Sequence, residues 1–174
     1  MGSGTPAANR EGVKQHSTEP QNPRIVLQGD HAALDSMLCQ LADQVRAEDR
    51  TLAPATWERL ESAVLTHMNV EEMFIIPLLA AEDPQAADGL VRTHTELRAM
   101  LGEIGLAFEL HTLRAEVVDS FCEKLRAHAA TEGELLYPFA ERRLPVSTVR
   151  SLLSRLRAPS AHHPRRRPAA ASPS

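Results

Sequence analysis

The chain is poor in the residues that build β-sandwiches, disulfide scaffolds and membrane spans. Aromatic residues make up 3% of its 174 positions. A sheet-rich core would need more aromatic and β-branched side chains. The 43% apolar content is carried mostly by Leu, Ala, Val and Met, which favour helices. The only cysteines, Cys39 and Cys122, lie far apart and form no CxxC pair. This excludes a disulfide framework and predicts reduced thiols in a cytoplasmic protein. No apolar run approaches the roughly 18 residues of a transmembrane helix, and the polar N-terminus lacks the apolar stretch of a secretory signal. Positive charge is not in excess either: 19 basic against 23 acidic residues leave a net −4. Neither a nucleic-acid partner nor a membrane is expected.

What is present divides into three parts. Residues 1–23, rich in Gly, Pro, Asn and Gln without apolar periodicity, read as a disordered leader. Residues 159–174 read as a disordered basic tail, carrying Arg165, Arg166 and Arg167 beside solvated His162 and His163. Residues 24–158 form one domain. Apolar spacings of three and four predict helices over about 24–48, 54–81, 84–109 and 112–143, with a short fifth over 146–157. Gly29 weakens the first, so Asp30 is an alternative N-cap there. Pro54 suits a first turn, and Asp83-Pro84 reads as an N-cap followed by proline at the first helical position. Pro77 and Pro138 break or kink the second and fourth. Short connections make neighbours antiparallel, giving an all-α, up-down-up-down four-helix bundle with the fifth helix packed outside.

The two halves of the domain repeat one arrangement of side chains. His31 is followed by His67 and, four residues on, Glu71; His94 is followed by His128 and, four residues on, Glu132. Pro77 and Pro138 each lie ten residues after the second histidine, and Leu34, Met37 and Leu38 align with Leu97, Met100 and Leu101. A single His-x-x-x-Glu pair arises by chance roughly 0.7 times in a chain of this composition, so one pair carries little. Two pairs in a shared apolar and proline frame carry much more.

Residues four apart share a helix face. His67 with Glu71, and His128 with Glu132, therefore point into one site, with His31 and His94 supplied by the other two helices. Two glutamates that each span two ions would give every ion two nitrogens and two oxygens. An oxo or hydroxo bridge makes five donors and leaves a position open. This donor set without thiolate suits iron. Metal would also neutralise carboxylates that are costly to bury alone.

Other metal-site signatures are missing. Neither His-Glu-x-x-His nor His-x-x-Glu-His occurs, and no candidate histidine has the Glu three residues earlier that ferritin-like bundles use. Over roughly residues 25–145 the chain instead resembles the hemerythrin-like HHE cation-binding family. The resemblance rests on His31, His67-Met-Asn-Val-Glu71-Glu72, His94 and His128-Ala-Ala-Thr-Glu132, with Pro77 and Tyr137-Pro138 beyond them. It implies a four-helix bundle holding two non-haem irons bridged by two carboxylates and an oxygen atom. It also implies binding of dioxygen, or redox and iron chemistry, at an open iron position.

One departure bears on function. Oxygen-carrying members have a further histidine one turn after the third-helix histidine; here that residue is Arg98, which cannot ligate because guanidinium stays protonated. Its counterpart in the first helix is Asp35, and the two are expected to meet near the metals. Glu72 and Tyr137 are further candidates for supporting the ligands, Glu72 as a solvated neighbour or as a contact behind a ligand, because adjacent helix residues point about 100° apart, and Tyr137 mainly as core. Phe74 and Leu135, three residues past each glutamate, are expected as apolar walls. His111 is expected at an exposed helix junction. A more open site favours turnover of oxygen or peroxide, nitric oxide binding, or sensing over reversible carriage. An iron- or redox-sensing bundle, a peroxide- or oxygen-consuming enzyme and a metal-free interaction module are the competing readings.

Overall fold

The computed structural model describes residues 22–157, which hold seven helices and no strand. The expected leader and basic tail, with His162 and His163, lie outside the described residues except at the leader's last two positions. Asn22 caps the first helix, its Oδ1 accepting from the Arg24 amide at 2.8 Å, with Pro23 in the first turn. Helix α1 (Pro23–Arg46) therefore starts one residue earlier than expected, and Asp30 lies inside it rather than capping it.

The other helices are α2 (Ala53–Phe74), α3 (Ile76–Glu82), α4 (Pro84–Glu109), α5 (Ala115–Glu134), α6 (Leu136–Arg143) and α7 (Val146–Arg157). Two expected helices are thus divided. The breaks fall at Ile75 and Leu135, just before Pro77 and Pro138, because proline has no amide to donate and its ring clashes with the preceding turn. The axis bends by 43° between α2 and α3. Asp83 caps α4 through the Ala86 amide at 3.0 Å, as its sequence predicts.

The duplication is visible in the buried stripes. On α1, Leu27, Leu34, Leu38 and Leu41 are buried with His31 in the same row; on α4, Leu90, His94, Leu97, Leu101 and Ile104 form the counterpart 63 positions later. On α2 the row is Trp57, Leu60, Val64, His67 and Glu71. On α5 it is Val118, Phe121, Leu125, His128 and Glu132, 61 positions later. The candidate ligands therefore occupy positions that periodicity reserves for the core. Even the helix ends repeat. Glu48 and His111 follow α1 and α4 in the left-handed region, at φ 53° and 55°. In each case the next amide reaches back five residues, Asp49 to Gln44 and Thr112 to Ala107, which defines a Schellman end.

Helix α1 packs against α2 and α5, and α4 packs against the same two. Ion pairs show opposite directions across two of these contacts. Arg46 meets Asp119 while Asp35 meets Arg126 between α1 and α5, and Glu96 meets Lys124 while His94 meets Glu132 between α4 and α5. The core falls into two apolar clusters. One holds Leu34, Leu38, Trp57, Leu60, Leu101 and Phe121; the other holds Leu27, Ile75, Leu90, Leu136, Phe139 and Leu152. The second takes in α7, whose Val149, Leu152 and Leu153 are buried and which packs on α2. On α1, α4 and α5 the His and Glu residues fall between these clusters, and on α2 His67 and Glu71 stand where the two meet, beside Met68 of one and Val70 of the other, so that they form a polar layer in an apolar interior. Among the described residues no single helix is long and apolar enough to cross a membrane.

Candidate metal centre

Four helices supply six side chains to this layer. His31 comes from α1, His67 and Glu71 from α2, His94 from α4, and His128 and Glu132 from α5. Five of them are at most 3% exposed; the His31 side chain is 12% exposed. Potential donor atoms of Glu71, His94, His128 and Glu132 lie within 4.8 Å of one another, and so do those of His31, His67 and Glu132.

Both carboxylates are divided between two histidine pairs. Glu132 Oε2 lies 3.1 Å from His31 Nε2 and 3.7 Å from His67 Nε2. Its Oε1 lies 2.7 Å from His128 Nε2 and 3.3 Å from His94 Nε2. Glu71 does likewise, with Oε1 at 3.3 Å from His67 Nε2 and Oε2 at 3.5 Å from His94 Nε2. Each pair, His31 with His67 and His94 with His128, thus faces one oxygen from each carboxylate.

The layer carries a deficit that cations would fill. Both Glu71 oxygens and His67 Nε2 are buried without a hydrogen-bond partner. A buried carboxylate with no hydrogen bond is costly, and the contacts of Glu71 with His67 and His94 offset this only when those rings are protonated, so such groups call for an explanation. These three atoms are metal-ligating types, and the contacts of Glu71 with His67 and His94 aim them at the interior of the cluster. The residues present therefore fit a resident metal. Without one, protonated imidazoles carry the positive charge. For His67, burial opposes protonation but is outweighed by the Glu71 charge and by bonds to Asp30, Glu132 and Glu71, so its pKa is raised well above 6.5. For His94, burial is likewise outweighed, by Glu132, Glu71 and Glu72, and the pKa rises to about 9. Burial pushes Glu132 up, but hydrogen bonds from His128, His31, His67 and His94 hold it well below the usual carboxylate range.

A second set of contacts fixes the rings. His67 Nδ1 bonds Asp30 Oδ2 at 2.6 Å, and His94 Nδ1 bonds Glu72 Oε1 at 2.8 Å. Carboxylates behind imidazoles orient the ring and raise its basicity as a ligand. The other two rings lack this support. His128 Nδ1 has no partner; the residue equivalent to Asp30 there is Thr93, whose hydroxyl donates instead to Gly89 O at 3.1 Å. The residue equivalent to Glu72 is Gly133, which has no side chain to offer His31. Tyr137 lies there instead, its Oη 3.0 Å from His31 Nε2 and donating to Glu132 Oε2 at 3.2 Å. Fully buried, Tyr137 is both core and part of the site; burial and the two glutamate charges raise its phenol pKa strongly.

Two expectations change. Arg98 and Asp35 do not meet. Arg98 binds Glu72 and Asn69 on α2, and Asp35 binds Arg126 on α5. The pseudo-twofold relation carries one residue onto the other, but it places them in the α2–α4 and α1–α5 contacts respectively. Asp35, exposed beside Arg126, supports none of the six through any contact found among the described residues. Glu72 takes the supporting role of its two expected ones, joining Arg98 to His94. Phe74 and Leu135 are half-buried, and the fully buried apolar residues at that level are Ile75 and Leu136, one position on. Sequence reasoning missed Asp30 as the partner of His67. The available signal was an acid adjacent to a candidate ligand, the same signal that marks Glu72. His111 is exposed at the end of α4, as expected. A cavity of about 720 Å³ lined by Arg46, Phe108 and Arg114 includes none of the six.

The family model for the hemerythrin HHE cation binding domain matches residues 22–140. The chain belongs to that family, and the matched segment contains all six side chains of the buried cluster. No curated protein and no solved structure matches the chain significantly.

Proposed function

We propose that the chain is a non-haem di-iron protein that binds dioxygen, or a related small oxidant such as peroxide or nitric oxide, at an open iron position. The observation that carries this reading is the division of Glu71 and Glu132, each offering one oxygen to each histidine pair. The result is two adjoining sets of two nitrogens and two oxygens, a number of protein donors that leaves coordination positions free. The absence of thiolate and the mixture of imidazole with carboxylate favour iron. Opposite helix directions across the α1–α5 and α4–α5 contacts support an up-down-up-down bundle as the scaffold.

Bound iron would supply the redox chemistry and the small-ligand position. The chain's own side chains do the rest. Asp30 and Glu72 hold the His67 and His94 rings with Nε2 directed inward. The apolar clusters on either side keep bulk water out. Tyr137 Oη carries a proton within reach of His31 and Glu132, and so can donate to a small ligand seated beside them. His31, the only partly exposed member of the six, marks the side of approach. The reading places the protein in the cytoplasm, acting without nucleic acid or membrane.

The test is elemental analysis of protein produced with iron, together with its visible spectrum through reduction and air exposure. About two irons per chain are expected, with a charge-transfer band that bleaches on reduction and returns in air, both lost in Glu132→Ala. Stoichiometric zinc without colour, or no metal, overturns the reading.

One observation favours a second reading, an iron-responsive regulatory bundle. The unpartnered Glu71 oxygens make the metal-free fold the costlier state, so iron loading would set the folded fraction. Loss of most of the helical circular dichroism on iron removal supports it, and full retention rules it out. Turnover of peroxide with a reductant, abolished by Glu71→Ala, would instead make the protein an enzyme.

A further inference from the structure

Cys39 and Cys122 are remote in sequence, but the α1–α5 contact brings their positions together. Asp35 on α1 binds Arg126 on α5. One turn further along α1 is Cys39, and one turn back along α5 is Cys122. Because Arg46 pairs with Asp119 further along the same contact, the two helices run in opposite directions there. The turn after Asp35 therefore faces the turn before Arg126. Arg126 ties the arrangement together: its Nε bonds Asp35, and its Nη2 lies 3.4 Å from Cys39 Sγ. The sulfurs differ in surroundings, Cys39 being exposed and Cys122 buried at 5% exposure.

We propose that Cys39 and Cys122 are a redox-responsive pair, joined into an intrachain disulfide by a hydroperoxide and reopened by a dithiol reductant. Cys39, exposed and beside the Arg126 guanidinium, reacts first. Its thiolate attacks one peroxide oxygen, the O–O bond breaks, and Cys39 becomes a sulfenic acid while the departing alkoxide or hydroxide takes up the proton that Cys39 released. The Cys122 sulfur then attacks the sulfenic sulfur. The S–S bond forms, hydroxide leaves, and it departs as water with the Cys122 proton. Two thiols are oxidised to a disulfide, and one hydroperoxide is reduced to an alcohol (or water) plus water. Burial holds the Cys122 thiol above its usual range, which leaves Cys39 the thiol that meets peroxide first; Cys39 is also among the charges that act on Cys122, consistent with neighbouring sulfurs. The bond would fasten α1 to α5, the helices that carry His31, His128 and Glu132. The inference uses no metal ligand, so it stands or falls apart from the di-iron reading.

The test treats reduced full-length protein, iron-loaded and metal-free in parallel, with equimolar hydrogen peroxide. Thiols are then blocked by alkylation, and intact mass and unreduced peptides are read. The expected product is a monomer lighter by two hydrogens, resistant to alkylation, that yields a Cys39–Cys122 peptide and reverts with dithiothreitol. Cys39→Ser, an exposed change that leaves the core intact, should abolish the product. Cys122→Ala should leave a Cys39 sulfenic acid that dimedone traps. Full alkylation of both thiols after peroxide, Cys39 carried on to sulfinic acid in the unmutated chain, or a disulfide only between chains would each overturn the proposal.

Discussion

Arg98 grips Glu72 through two bonds, Nη1 to Oε1 at 2.7 Å and Nη2 to Oε2 at 3.0 Å, and the same Glu72 oxygen Oε1 accepts from His94 Nδ1. Arg98, one turn after His94, thus acts on that ring through Glu72 rather than directly. Burial pushes the Glu72 carboxyl up, but Arg98 and His94 outweigh it, so Glu72 stays ionised and available as an acceptor. On the other side of the centre Asp30 Oδ2 bonds His67 Nδ1. Each histidine pair therefore has one ring held by a carboxylate.

Removing either carboxylate should loosen its ring without removing a ligand. Asp30→Asn and Glu72→Gln should each lower metal affinity by about ten- to a hundredfold, read by competition with a chromogenic chelator. Arg98→Gln should act in the same direction but less, because Glu72 keeps its bond to His94. Affinity unchanged in all three variants would show that these contacts are incidental.

The reverse change should help. Thr93 occupies the position equivalent to Asp30, and His128 Nδ1 has no partner. Thr93→Asp should supply one and raise affinity up to about tenfold. A neutral or weakened site would mean that the pseudo-twofold relation does not extend to this contact.

The metal-free protein should become less stable as pH rises from neutrality. His67 and His94 have folded pKa values raised above the unfolded 6.5, to about 9 for His94. Their contribution is fully present below pH 6.5 and is lost as pH climbs through each folded value, about 9 for His94, a change of up to roughly 3 kcal/mol for that group. Melting temperature of the chelated protein should fall across that window. The loaded protein, whose imidazoles bind as neutral ligands, should not follow it, and loading near pH 7 should release protons. Parallel melts with and without chelator, and proton release in weak buffer, test this.

Much of the fold was legible because the periodicity was strong. The stripes on α1, α2, α4 and α5 place His31, His67, His94 and His128 in core rows, and a core row containing histidine at matching positions in two halves is readable without coordinates. Pro77 and Pro138 announced the breaks. What could not be read was which neighbour a flanking side chain would meet. Asp35 and Arg98 are equivalent by sequence and opposite in charge, which invited pairing them, but that choice depends on helix rotation and on which helices lie adjacent. Asp30 was misassigned for a related reason. Gly29 weakens the helix interior locally, so a cap seemed plausible, whereas Asn22 and Pro23 had already started the helix.

Glu48 and His111 adopt a left-handed backbone that glycine accepts without steric cost. Glu48→Gly and His111→Gly should each stabilise the fold by about 0.5–1 kcal/mol, less whatever the more flexible unfolded chain gives back. Both lie outside the metal layer, so metal content should not change. Chemical denaturation monitored by circular dichroism checks this, and destabilisation by either variant would show that its side chain has an unrecognised partner.

The sharing of Glu71 and Glu132 has one further consequence. In the di-iron reading neither half of the duplicated chain would complete a coordination set, because each borrows an oxygen from the other and lends one in return. The two subsites are therefore not independent compartments. Protonating or deleting one carboxylate disturbs both, and filling one pre-orders the other, so occupancy should be close to all-or-none, with singly loaded protein scarce in a titration. A centre built this way has no partial failure: its parts were duplicated, but no redundancy came with them.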